Sequence, residues 1–112
     1  MTGAERGRAG EDAAAALLRA HGYRIVARNV RGPGGEIDII ARDGDTIVFV
    51  EVKARLRHSF GSAVGAVDAA KRATLRAIAG DWLQIAAPRA RARFDVVTFD
   101  GGRATLHRDA FA

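Results

Sequence analysis

Residues 35–53 read GEIDIIARDGDTIVFVEVK, with two apolar segments on either side of the turn formers DGD at 43–45. Turn residues between two apolar runs are typical of a hairpin of antiparallel strands. The pattern predicts one strand over 36–41 and a second strand over 46–54. The second run is almost continuously apolar, which indicates a central strand that is covered on both faces.

Two helices and three further strands surround this hairpin. Apolar residues recur at helical spacing in two segments, one ended by Gly22 and the other begun by Asp68 as an N-cap. The predicted elements are a helix over 8–21, a strand over 23–29 before an RGPGG turn at 31–35, a helix over 68–86, a strand over 93–99 and a short strand over 105–107. The order helix, three strands, helix, two strands, with no linker or repeat, predicts a single α/β domain over residues 1–112.

Charged side chains interrupt the two apolar strands of the hairpin, and the pairing of the strands brings these side chains close together. Alternation along the second strand puts Glu51 and Lys53 on one face. Along the first strand it puts Glu36 and Asp38 on one face and Ile37 and Ile39 on the other. When the strands pair through the short turn, Asp38 lies beside Glu51. Buried charges of this kind need a cation partner, a metal ion or a shifted pKa, because their desolvation is costly.

Two interpretations of this charged group are open. Carboxylates are hard ligands that suit Mg²⁺ or Mn²⁺, and such an ion polarises a phosphoryl oxygen and generates hydroxide, while Lys53 orients the water. Alternatively, Lys53 neutralises Asp38 and Glu51 in an ion-pair network without a metal. Glu11 and Lys71 favour the first interpretation, since each lies at the inner edge of a helix that should cover this sheet.

The composition excludes several classes of protein. With 48% hydrophobic and 28% charged residues the chain is typical of a globular protein, and no apolar run approaches the roughly 18 residues of a membrane span. The chain has no cysteine, which excludes disulfides and thiolate sites, and its three histidines lack zinc-ligand spacing. Its charged, alanine-rich N-terminus is unlike a signal peptide, so we expect a soluble, cytoplasmic protein.

The chain is basic, with 18 Lys and Arg against 13 Asp and Glu, a formal charge of +5 and a pI near 10.9. This balance favours nucleic acid as a partner, through phosphate contacts and counterion release. A merely solvated surface in an arginine-rich protein is the alternative. Only Lys53 and Lys71 are lysines, which points to both as positions where a compact ammonium is needed rather than a planar guanidinium.

Two further groups of arginines call for an interpretation. Arg55 and Arg57 leave the charged strand in a loop with an aromatic residue, which favours contacts to phosphates and stacking on a base. A solvated loop would have the same composition. Arg89, Arg91 and Arg93 alternate with alanine, and we interpret them as charges that protect an edge strand from aggregation.

The motifs GEID at 35–38 and FVEVK at 49–53 resemble the YraN family of small bacterial proteins. Asp38 followed by EVK at 51–53 also resembles the PD-D/E-x-K signature of nucleases, with Ile37 in place of the signature's proline. The resemblance covers nearly the whole chain. Further matching positions are GE at 10–11, RN at 28–29, FG at 60–61, Lys71 and RFD at 93–95.

The resemblance implies a restriction-endonuclease-like fold around a central mixed sheet. In that core Asp38, Glu51 and the backbone carbonyl of Val52 hold the metal, and Lys53 assists the attacking water. The family is similar to archaeal Holliday-junction resolvases, which also carry a glutamate on the first helix, and Glu11 matches that position.

The sequence is therefore consistent with two functions. The first is a Mg²⁺-dependent endonuclease acting on DNA, with branched or junction DNA among its substrates, in which Arg55, Arg57 and Lys71 bind phosphates. The second is a non-catalytic nucleic-acid-binding or scaffold module that keeps the nuclease fold. Two cuts in one duplex require two active centres, so the first function also predicts a homodimer.

Overall fold

The computed structural model of the protein describes residues 3–53 and 67–112, with side chains from residue 8 onward. Its elements are α1 (Gly3–Ala20), β1 (Arg24–Gly32), β2 (Gly35–Asp43), β3 (Thr46–Lys53), α2 (Ala69–Ala86), β4 (Arg91–Asp100) and β5 (Arg103–Phe111). This order of elements is the predicted one. The mixed sheet and two helices confirm the predicted α/β, restriction-endonuclease-like fold class.

The five strands form one sheet in the order β1-β2-β3-β4-β5. β1, β2 and β3 are antiparallel neighbours, as their short turns predict, and β4 and β5 form a second antiparallel pair. β3 and β4 are parallel, with Thr46 opposite Arg91 and Lys53 opposite Thr98. A parallel pair needs a crossover connection, and α2 lies between these two strands in the chain. The sheet is therefore mixed, with β3 at its centre.

Apolar side chains cover β3 on both faces, as its continuous apolar run predicts. Phe49 packs in a cluster with Leu75 of α2, and Val50 packs in a second cluster with Leu18 of α1. Phe49 and Val50 are each 1% exposed, so the burial of each side chain contributes roughly 1.5–3 kcal/mol. The two helices thus lie against opposite faces of the sheet. Neither described helix combines the length and apolarity needed to cross a membrane.

Ile37 and Ile39 do not share a face, so the strict alternation predicted for β2 is wrong. Ile37 packs in the cluster with α2, whereas Ile39 packs in the cluster with α1. The register of β1 and β2 places Asn29 opposite Asp38, and Asn29 has a left-handed backbone with φ of 53°. Such a torsion is incompatible with a regular pleat. The alternation is therefore broken at Asp38, where the charged group lies.

The predicted start of α2 is confirmed, whereas the predicted end of β5 is too early. Asp68 caps α2 as predicted, since its side chain accepts a hydrogen bond of 2.8 Å from the backbone N–H three residues later. β5 extends to Phe111, beyond the predicted end at 107. The rings of Phe111 and Phe94 stack with centroids 4.8 Å apart. This contact between distant residues holds the end of β5 in the sheet.

A second buried polar group, here called the Asp95 cluster, consists of Tyr23, Asp43, Arg93 and Asp95. Asp95 is 0% exposed. Arg93 donates to Asp95 at 3.0 Å, to Asp43 at 2.8 Å and to the Tyr23 hydroxyl at 2.6 Å. The Tyr23 hydroxyl in turn donates to Asp95 at 2.8 Å. The backbone N–H of Asp109 also donates to Asp95, at 2.9 Å.

The predicted role of Arg93 as protection of an edge strand is therefore wrong. β4 lies between β3 and β5, so it is not an edge strand. The side chain of Arg93 is 21% exposed and forms ion pairs with Asp43 and Asp95. Its role is to neutralise buried carboxylates, which would otherwise be too costly to desolvate.

Candidate functional site

The sheet opens at the point where β2 and β3 stop pairing. Their backbone pairing runs from the turn to Ile39 opposite Val50 and ends there. Just beyond, the side chain of Asp38 accepts a hydrogen bond of 2.8 Å from the backbone N–H of Val52. A buried N–H needs an acceptor, and here a side chain replaces the strand carbonyl. The two strands can therefore separate at Asp38 without leaving this donor unpaired.

Glu51 lies next to Asp38 in this opening and is 6% exposed. Burial, followed by the hydrogen bond and the charge of Asp38, raises the pKa of Glu51 to about 8, against the opposing charges of Lys71 and Lys53. Glu51 Oε2 is buried without a hydrogen-bond partner among the described residues. An unsatisfied buried oxygen costs about 1–3 kcal/mol. The raised pKa therefore favours the protonated form of Glu51 at neutral pH.

Lys71 is the cation in ion-pair range of Glu51 in the described part of the chain. Its Nζ lies 3.8 Å from Glu51 Oε2, which is close enough for an ion pair but too far for a hydrogen bond. The ammonium passes Gly35, where a Cβ would lie 3.8 Å from Nζ and 3.1 Å from the side chain of Thr74. A side chain at this position would therefore crowd Thr74, whereas its contact with the ammonium of Lys71 would be an ordinary one. Lys53 lowers the pKa of Glu51 through its charge, without such a contact.

Three carboxylates from α1 and β2 converge beside the opening. Oxygens of Glu11, Glu36 and Asp38 all lie within 4.8 Å of one another, a spacing that would allow them to ligate one cation. Asn29 joins the two glutamates, because its Nδ2 donates to Glu11 Oε1 at 2.9 Å and to Glu36 Oε1 at 3.4 Å. Asp38 thus belongs to two neighbouring acidic groups, one with Glu51 and one with the two glutamates.

Arg28 adds a positive charge at the outer side of this acidic group. Its Nη2 lies 2.8 Å from Asp12 Oδ1 and 3.6 Å from Glu11 Oε1. The side chain of Glu11 is 14% exposed, whereas that of Asp12 is 67% exposed. Glu11 therefore lies at the inner edge of α1, as its helical spacing predicts, while Asp12 points to solvent.

Most of the predicted site residues lie at this one end of the sheet. Those that meet at the opening are Glu11, Asp38, Glu51, Val52 and Lys71. Lys53 ends β3, two residues beyond Glu51. The backbone N–H of Val52 donates to Asp38, which locates Val52 at the opening. The role that the resemblance implies for Val52 is different, because there its backbone carbonyl would bind the metal. Arg55 and Arg57, the predicted phosphate contacts, lie outside the described residues.

Asn29 and Glu36 contribute to this site, although neither was among the predicted site residues. Glu36 lies two residues before Asp38 on the same apolar strand, and that spacing was the signal that could have found it. Asparagine is enriched at left-handed backbone positions, but a residue inside a strand pattern gives no reason to expect one. The role of Asn29 therefore became visible only with the fold.

Comparison with known proteins places the chain in a family. A model of the uncharacterised protein family UPF0102 matches residues 10–99. A UPF0102 protein of Shewanella amazonensis is 47% identical over 105 residues, which cover 94% of this chain and 97% of the relative. A UPF0102 protein of Moorella thermoacetica is 50% identical over 98 residues, covering 87% and 82% of the two chains. One of Symbiobacterium thermophilum is 47% identical over 111 residues, covering 94% of each.

The region matched by the family model includes every described residue of the opening, from Glu11 on α1 to Lys71 on α2. Identity close to one half, over most of both chains, extends across the same region. The chain therefore belongs to the UPF0102 family, which is the YraN family that its GEID and FVEVK motifs predict.

Proposed function

We propose that this protein is a metal-dependent nuclease that hydrolyses phosphodiester bonds in DNA, with branched or junction DNA as a candidate substrate. The observation that carries the proposal is the buried Oε2 of Glu51 next to Asp38, which has no hydrogen-bond partner among the described residues and only a long ion pair with Lys71. Two carboxyl groups in contact oppose each other's ionisation, which is unfavourable for a site with a purely structural role. A divalent cation offsets this cost, because it favours the ionised form of both groups.

The residues of the opening have the chemistry that Mg²⁺ or Mn²⁺ requires. Both ions prefer hard oxygen ligands, and both retain coordination positions for water and a substrate phosphate. Asp38, Glu51 and the carbonyl of Val52 would hold the ion, as the family resemblance implies. When bound, the ion supplies a polarised phosphoryl oxygen and a water of lowered pKa. Glu11 adds a carboxylate within 4.8 Å of Asp38.

The two lysines have separate roles in the proposed reaction. Lys53 ends the strand that carries Glu51, and its ammonium orients the attacking water or stabilises the negative charge that develops on the phosphate. Lys71 approaches from α2 and would bind a phosphate oxygen when a metal ion is held by its ion-pair partner Glu51. The formal charge of +5 supports binding of a polyanion. Arg55 and Arg57 extend this phosphate contact along the nucleic acid.

A non-catalytic nucleic-acid-binding or scaffold module is the second candidate, and the ion pair of Lys71 and Glu51 favours it. In this alternative the protein supplies its own cation, so the carboxylates need no metal. The two candidates differ in one measurable property. A nuclease site binds Mn²⁺ and displaces Lys71 from Glu51, whereas an ion-pair site gives no binding heat with Mn²⁺.

The first experiment is therefore calorimetry with Mn²⁺ on the wild type and two variants. Asp38→Asn should abolish the binding heat, because it removes a central ligand. Asp12→Asn is the matched control, since it makes the same change on an exposed carboxylate of the same region and should retain the heat. If the wild type gives no heat, or if both variants lose it equally, the metal site is refuted.

The second experiment is a cleavage panel of linear, flapped and four-way DNA with Mg²⁺ or Mn²⁺. Cleavage that depends on the metal and disappears in Asp38→Asn supports the nuclease. Binding to all substrates without cleavage supports the second candidate. In either case, removal of Arg55 and Arg57 should weaken binding about equally for all sequences and reduce the salt dependence of the affinity, as phosphate contacts do.

A further inference from the structure

An apolar groove lies between the tip of the β1–β2 hairpin and the second half of α2. Its volume is about 250 Å³. Val30 lies on the hairpin side, and Ile78, Trp82 and Ile85 lie on the helix side. Ile85 is 89% exposed, the largest exposure of a large hydrophobic side chain among the described residues.

This groove continues the core of the protein onto its surface. Ile78 is 3% exposed and packs on the sheet, and the edge of the Trp82 ring meets Phe49 with centroids 6.0 Å apart. Residues 78, 82 and 85 recur at helical spacing, so the buried stripe of α2 runs out onto an open surface. Apolar side chains that continue a core in this way are covered favourably by a partner, because covering them removes apolar area from water.

The two sides of the groove carry opposite charges. Arg31 lies on the hairpin side with a side chain that is 88% exposed, and its ion pair with Glu36 is long, at 3.7 Å. Asp81 lies on the helix side, is exposed, and has no ion pair in the described ranges 3–53 and 67–112. A groove with a cation on one side and an anion on the other is complementary to a second copy of itself. Under a two-fold axis each Arg31 meets the Asp81 of the other copy.

We propose that this groove is the two-fold interface of a homodimer. The aromatic residue and the arginine are of the types that contribute most to binding at interfaces. Arg31 contacts Glu36, so the interface borders the acidic group of the site. In a dimer joined here, the Asp38–Glu51 openings of the two copies would therefore lie on either side of the interface. The dimer does not depend on the proposed cleavage, since it follows from the shape and charge of the groove.

Sedimentation velocity of the full chain tests the apolar part of the interface. The wild type should be a dimer that dissociates on dilution, and Ile85→Lys should be a monomer with an unchanged circular dichroism spectrum. Gln84→Lys is the matched control, because it adds the same charge at the adjacent exposed position of the helix, outside the groove. A monomeric wild type at all concentrations, or a dimer that tolerates Ile85→Lys, overturns the proposal.

Charge reversal tests the two-fold geometry. Arg31→Glu and Asp81→Arg should each weaken the dimer about tenfold, because a two-fold axis makes every substitution count twice. The double variant should restore the wild-type affinity, since the pair re-forms with its charges exchanged. A double variant as weak as the single variants overturns the pairing. If the protein is a monomer that still cleaves DNA, the dimer proposal is overturned and the nuclease proposal is not. If it is a dimer that responds to these substitutions as expected but does not cleave DNA, the dimer proposal stands.

Discussion

The Asp95 cluster and the Asp38–Glu51 opening both bury carboxylates in the same sheet, but only the first is complete. Each oxygen of Asp95 accepts hydrogen bonds, from Tyr23, Arg93 and the backbone of Asp109. In the opening, Oε2 of Glu51 has no hydrogen-bond partner in the part of the chain that the structure describes, and its neighbour is another carboxyl group. A buried charge with all its partners needs nothing further, whereas one without them has capacity for a ligand.

The two regions also differ in how they set protonation. In the Asp95 cluster, burial followed by the hydrogen bond and charge of Asp95 raises the pKa of Tyr23 above its ordinary value, so this phenol keeps its proton at physiological pH. In the opening, burial and Asp38 move the pKa of Glu51 to about 8. Tyr23 thus stays neutral at physiological pH, while Glu51 changes its charge near neutral pH.

The largest effect should come from the matched variants Asp95→Asn and Glu51→Gln. Asp95→Asn should lower the free energy of unfolding by about 3 kcal/mol, because Arg93 loses a buried counter-charge. Glu51→Gln should change it little at pH 7, since the carboxyl group of Glu51 is already mostly protonated there. Urea denaturation of both variants measures the difference. Equal losses would show that the two regions have the same structural role.

The next effect concerns rate rather than stability. Lys53→Arg should lower the single-turnover rate of cleavage about 10²-fold, because the guanidinium keeps the charge but cannot approach one water or phosphate oxygen as a compact ammonium does. The fold and Mn²⁺ binding should be retained. Arg93→Lys is the converse exchange, and it should reduce stability without changing the rate per folded molecule. Cleavage by Lys53→Arg at the wild-type rate would leave Lys53 as a structural counter-ion.

A third prediction uses the raised pKa of Glu51. The folded state holds this proton more tightly than the unfolded state, whose pKa is near 4.5, so the stabilisation is complete below that value and is lost as the pH rises through about 8. Without metal, the free energy of unfolding should fall by up to about 1.4 kcal/mol for each pH unit in this window. Melting curves at pH 6 and 9 measure it. Glu51→Gln should flatten the profile and Mn²⁺ should restore stability at high pH; a flat wild-type profile would contradict the shift.

The smallest effect should follow the loss of the Asn29 amide. Asn29→Gly retains access to the left-handed backbone but removes the hydrogen bonds to Glu11 and Glu36, so it should weaken Mn²⁺ binding by about 1 kcal/mol. Asn29→Ala should in addition lower the melting temperature, because alanine is strained at positive φ. Calorimetry and melting curves separate the two effects. An unchanged affinity in Asn29→Gly would remove Asn29 from the site.

Much of this architecture was predictable because its signals are local. The order of elements follows from the turns at 33–34 and 44–45 and from the Asp68 cap of α2, each defined within a few residues. Asp38 and Glu51 were also accessible, because a charge inside an apolar strand is conspicuous in the sequence and must be compensated. Glu11 and Lys71, which lie on other elements, were accessible from their helical spacing, and the resemblance then matched both positions.

Tertiary structure alone decided which of these charges are compensated. Tyr23 and Asp95 are 72 residues apart and share a buried hydrogen bond, so no local pattern connects them. Because β4 pairs with both β3 and β5, Arg93 is not an edge residue but a half-buried counter-ion of the buried Asp95. Asn29, with its left-handed backbone, joins Glu11 of α1 to Glu36 of β2 through hydrogen bonds that no strand pattern predicts. Periodicity describes a strand by itself, whereas these contacts depend on how strands and helices pack together. In the described residues that packing also leaves Oε2 of Glu51 without a hydrogen-bond partner.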